Sequence, residues 1–141
     1  MKRLSTPTSV FLVHAREDKD LARRLKRNLE RVPFVDVVSH DDVSPEDTNS
    51  YRSHLANKIR NSSGVAFLLT PKSQDSDWSL FELGMAIGAN EPFRYVQTGD
   101  IALHPPFEQD ETGDDITVDT LSQPTEIFSF LTSFHEDPLR E

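Results

Sequence analysis

"GVAFLLTPKSQDSDWSLFELGMAIGAN", residues 64–90, decides the fold. Its first seven residues are a near-continuous β-prone apolar run, the pattern of a strand buried on both faces of a parallel sheet. "PKSQDSD" is turn chemistry, and Ser76 or Asp77 caps the helix that follows. Glu82 sits inside that helix's apolar stripe: Trp78 lies four residues before it, Met85 three after, and Phe81 adjoins it. A carboxylate walled in this way has its charged form disfavoured unless a helix amino end or a donor offsets the cost. Glu82 is therefore either a stripe-edge carboxylate facing water or a group held in a pocket.

The same strand-then-helix grammar repeats outward from this unit. "SVFLVHA" (9–15) is a second buried strand, and "REDKDLARRLKRNLERV" (16–32) places Leu21, Leu25 and Leu29 four residues apart on an amphipathic helix. "FVDVVSH" (34–40) reads as a strand, "DDVSPEDTNS" (41–50) as loop, and "YRSHLANKIRNS" (51–62) as a helix capped by Asn49 or Ser50. "FRYVQT" (93–98) is a fourth strand, residues 99–115 are loop, and "ITVDT" (116–120) is a short fifth strand. "PTEIFSFLTSFH" (124–135) closes the chain as a helix with Pro124 in its first turn. Alternation at this spacing gives βαβ units. The expected fold class is α/β, a three-layer flavodoxin-like open sheet of about five parallel strands with helices on both faces. Ligands of such sheets bind at the carboxyl ends of the strands. Residues 14–17, 41–50 and 71–82 should meet there.

Composition narrows the function classes. The 141 residues suit a single domain, 9–141, behind a short flexible tail, 1–8. No apolar run approaches the roughly 20 residues of a membrane span, and "MKRLSTPTSV" lacks the apolar segment of a secretory signal. With no cysteine there is no disulfide or thiolate chemistry, which fits a cytoplasmic protein. A net charge of −9 argues against nucleic-acid and anionic-membrane partners. The charge is uneven, basic in "RRLKRNLER" (23–31) and acidic in "EQDETGDD" (108–115), as two solvated faces would be. The chain has no glycine-rich phosphate loop and no G-x-S-x-G elbow. His14, His40, His54, His104 and His135 lack metal-ligand spacing and read as structural or exposed, so no metal is expected.

Read in series, the segments resemble a TIR (Toll/interleukin-1 receptor) domain of the prokaryotic stand-alone type. The resemblance rests on "VFLVHAREDKDLARRLKRNLE", the proline-containing loop after the second strand, and the Tyr51-Arg52 pair opening a helix. It continues through the Thr70-Pro71-Lys72-Ser73 turn and W-x-x-x-E-L from Trp78 to Leu83, covering residues 9 to about 90. Many TIR domains are adaptors that assemble with other TIR domains; many others cleave NAD+ at the nicotinamide-ribose bond with a glutamate on the third helix, the position of Glu82. The resemblance thus implies a catalytic Glu82, NAD+ as substrate rather than cofactor, and a role in antiphage defence. It implies substrate binding by His14, Ala15, Arg16, Asp42, Ser50 and Trp78, with Trp78 also packing its helix. It further implies self-association through the 42–50 loop and a separate sensor or effector protein. One departure stands out: "PEDTN" replaces the family's usual Pro-Gly-Glu, without a glycine. A nucleoside deoxyribosyltransferase shares such a sheet and a catalytic glutamate, but its second acidic group has no counterpart here. A response regulator is excluded because the third strand ends in Thr70 where an aspartate is needed.

Overall fold

The structure is a computed structural model that describes residues 7–42, 48–98 and 116–135; the side chains of residues 41 and 48–52 fall outside that description. Four parallel strands, β1 (Thr8–Val13), β2 (Val35–Ser39), β3 (Gly64–Leu69) and β4 (Phe93–Gln97), form one sheet in the order β2-β1-β3-β4. The order reverses between β1 and β3, so the topological switch point lies between the carboxyl ends of those two strands. A fifth position is marked by a parallel bridge between Gln97 and Thr117. Among the described residues the pairing ends there, where Thr117 Oγ1 accepts the Thr120 N–H at 3.0 Å and the chain turns away.

Alternation along the strands sorts the core into two layers. Val10 and Leu12 of β1, with Ala66 and Leu68 of β3, face α1 (Lys19–Leu29) and α5 (Pro124–Ser133), meeting Leu25, Leu29, Ile127 and Leu131. Phe11 and Val13, with Val65, Phe67 and Leu69, face α2 (Thr48–Arg60) and α4 (Asp77–Gly88), meeting Leu55, Ile59, Leu83 and Ala86. Each fully buried leucine or phenylalanine contributes about 1.5–3 kcal/mol from apolar burial. β1 and β3, packed on both faces, carry the continuous apolar runs seen in the sequence.

Local details refine the expected boundaries. β1 starts at Thr8, whose N–H donates to Phe34 O at 3.0 Å and whose hydroxyl lies 3.0 Å from His135 Nε2. Residues 16–18 form a 3-10 turn ahead of α1 rather than its first α-turn. "PKSQ" is a one-turn helix, α3 (Pro71–Gln74), because Thr70 and Ser73 close a capping box around it and Pro71 opens it. Ser76 is the cap of α4, accepting from Ser79 N at 3.1 Å. On β2 the backbone of Val37 is engaged by α1 and the residue beyond it: Val37 N donates to Glu30 Oε2 at 2.9 Å, and Lys26 Nζ donates to Val37 O at 2.7 Å. Occupied polar groups of this kind keep an outer strand from recruiting another chain.

Candidate functional site

Three strand exits converge at one edge, as the sheet topology requires. β1 delivers His14 and Ala15, β2 delivers His40, and β3 leads through Thr70 and α3 to α4, which carries Trp78 and Glu82. Thr70 joins two of these exits. Its hydroxyl donates to Asp18 Oδ2 at 2.5 Å while accepting the Ser73 N–H at 3.0 Å.

Glu82 is fully buried, and so is the Ser79 side chain one turn before it. The Ser79 hydroxyl has no hydrogen-bond partner among the described residues. Glu82 stands in the second turn of α4, where the favourable field of the helix amino end has largely decayed. The ionisable group the structure places beside it is His40, 7% exposed, with Nδ1 at 3.7 Å from Glu82 Oε1. His40 lies against the His14 ring, centroids 4.7 Å apart and planes tilted by 31°. It meets Trp78 edge-on, with centroids 6.4 Å apart. Trp78 is half-buried and leans on the more exposed Phe81 at 5.3 Å. His14 Nδ1 is 2.8 Å from the carbonyl oxygen of Ala15, so it carries the proton and donates.

His14, Ala15, Trp78 and Glu82 therefore come together, with the first two almost completely buried. Arg16 and Asp42 are exposed, and Asp42 Oδ2 accepts the Ser39 N–H at 2.9 Å. The side chain of Ser50 and residues 43–47 of the loop lie outside the described residues. His40 is the residue that sequence reasoning passed over. Its signal was positional: it ends β2 on the ligand edge, although its spacing to the other histidines carries no motif.

The chain matches the TIR-domain profile over residues 10–117, and it belongs to the TIR-domain family. No curated protein matches it. Among solved structures, a 2-deoxyribosyltransferase from the psychrotolerant bacterium Bacillus psychrosaccharolyticus superposes with a TM-score of 0.51. That likeness covers 68% of this chain and 77% of the other at 16% identity, and it is a likeness of fold. TIR domains commonly self-associate. Among the described residues no helix is long and apolar enough to cross a membrane.

Proposed function

We propose that this TIR domain cleaves NAD+ between nicotinamide and ribose, with Glu82 as the catalytic residue. The observation that carries the reading is the buried carboxylate of Glu82 at the carboxyl edge of the sheet, on the family's W-x-x-x-E helix and flanked by His40, His14 and Trp78. In the reaction the bond from ribose C1′ to the pyridinium nitrogen breaks, and its electron pair leaves with nicotinamide, which becomes neutral. Positive charge then develops on the ribose, and a carboxylate held in a low-dielectric site stabilises it. The cationic leaving group needs no strong acid. Water attacking C1′ and losing a proton gives ADP-ribose; attack by a nitrogen of the substrate's own adenine gives a cyclic product.

Within this reading Trp78, His14 and Ala15 line the nucleotide, Arg16 and Asp42 reach it from the rim, and Ser50 belongs to the covering segment. The reading carries with it assembly through residues 42–50, a separate sensor or effector protein, and a role in antiphage signalling. The complete burial of Glu82 favours a second reading, an adaptor in which this carboxylate is part of the packed interior. The test is nicotinamide release from NAD+ at high protein concentration with a crowding agent, beside Glu82→Gln. Release that disappears in the variant supports the enzyme. Undiminished release from the variant refutes Glu82 as its catalytic residue, and no release from either protein, with retained self-association, favours the adaptor.

A further inference from the structure

The geometry points to His40 as the counter-charge of Glu82: a buried imidazolium that keeps the carboxylate ionised, and so a positioning residue for the chemistry proposed above. The inference deepens that reading and rests on it for its catalytic meaning, but the charge pair itself is measurable without turnover.

The argument starts from desolvation. A carboxylate removed from water takes up a proton unless a cation stands close by, and a protonated Glu82 has no charge to offer a ribosyl cation. His40 Nδ1 stands 3.7 Å from Glu82 Oε1, inside ion-pair range and longer than a good hydrogen bond. At that separation the attraction is Coulombic, and the low local dielectric strengthens it. Between them the two side chains hold one proton, either as imidazolium with carboxylate or as neutral imidazole with carboxylic acid.

The described surroundings select the first state. From the end of β1, His14 faces the His40 ring, and its Nδ1–H donates to the Ala15 carbonyl, a bond that needs no second proton on the ring. Two stacked imidazolium rings would repel, so the charge belongs to one ring, the one beside the carboxylate. Two residues past His40, Asp42 adds negative charge on the same segment, with its carboxylate held by Ser39 N. From the 3-10 turn after β1 comes Asp18, paired with Thr70. From α4 come Trp78 and Ser79, which are uncharged, and the exposed Asp77. The same 3-10 turn carries the exposed Arg16, but among these groups carboxylates outnumber cations, so a proton on His40 is favoured.

The test labels the histidine rings with 15N and follows His40 through a pH titration in the wild-type protein and in Glu82→Gln. The wild-type ring is expected to be cationic at neutral pH, and the variant's midpoint to fall by about one unit or more, a tenfold loss of proton affinity. A wild-type ring already neutral at pH 6, or midpoints agreeing within roughly 0.3 unit, overturns the pair. Because the wild-type measurement needs no substitution, a variant that fails to fold does not remove the test. The second readout is the pH profile of nicotinamide release by His40→Asn, whose amide occupies the place of Nδ1 without a charge. The acid limb should move to higher pH, since Glu82 loses the stabilising charge of His40 and keeps its proton longer. Lower activity with an unmoved limb would mean a merely structural His40 and overturns the positioning role. Should no protein release nicotinamide, the enzymatic proposal fails while the titration still decides the pair.

Discussion

Replacing Thr70 with valine removes one hydroxyl and almost nothing else. Valine has the same branched shape and suits the extended backbone of residue 70, at φ −132° and ψ 170°. Two interactions are lost together. The first is the 2.5 Å bond to the Asp18 carboxylate; bonds to charged groups are worth about 1.5–3 kcal/mol. The second is the cap on α3, the 3.0 Å bond from Ser73 N, where cap removal costs about 0.5–2 kcal/mol and one short turn sits at the low end. The expected loss is about 2–4 kcal/mol, allowing for one atom serving both. For a chain of this size that is a fall in Tm of about 6–12 °C. Urea unfolding followed by circular dichroism measures it, with Thr70→Ser as the control that keeps the hydroxyl. A double-mutant cycle with Asp18→Asn isolates the pair. A loss below about 0.5 kcal/mol, or a cycle showing no coupling, would refute the claim that this bond ties the β1 and β3 exits together.

Gly64→Ala should destabilise by about 1–3 kcal/mol, because a Cβ there would clash with Cδ1 of the Phe134 ring; a thermal melt unchanged by the substitution would show that the Phe134 side chain moves aside freely. Lys26→Met keeps the aliphatic stem but loses the bonds to Glu30 and Val37 O, for an expected cost of about 1 kcal/mol in urea unfolding. Burial pushes the Glu91 carboxyl above its ordinary value of 4.5. The folded state then holds that proton more tightly than the unfolded one, so this group's contribution to stability falls as pH rises from 4.5 through the raised value. Glu91→Gln should therefore gain stability over wild type at pH 7 but not at pH 4, and an equal difference at both would contradict the assignment.

The resemblance and the edge rule named Glu82, Trp78, His14 and Ala15 in advance, and the structure brings those four together. They failed to name His40 because a histidine's role depends on what lies across the fold, and no periodicity along the chain records that. They also named Arg16 and Asp42, whose side chains are exposed rather than buried with those four. Asp18 shows the same limit. In the sequence it is one acid in a helical first turn; in the fold it caps nothing and instead receives the Thr70 hydroxyl.

Read alone, the chain determined β1 to β4, the helices α1, α4 and α5 and the α/β class. Those follow from hydrophobic period and capping, which act between residues a few positions apart. It also determined that the strand exits share one edge, since parallel strands joined by helices place their carboxyl ends together. It missed α3, started α2 three residues late, at 51 instead of Thr48, and read a fifth strand where the described residues form one bridge. Tertiary structure alone decided that Glu82 is buried and that an imidazole delivered by another strand stands beside it. Burial and charge pairing are set by three-dimensional proximity between distant segments, and one-dimensional order does not encode that proximity residue by residue.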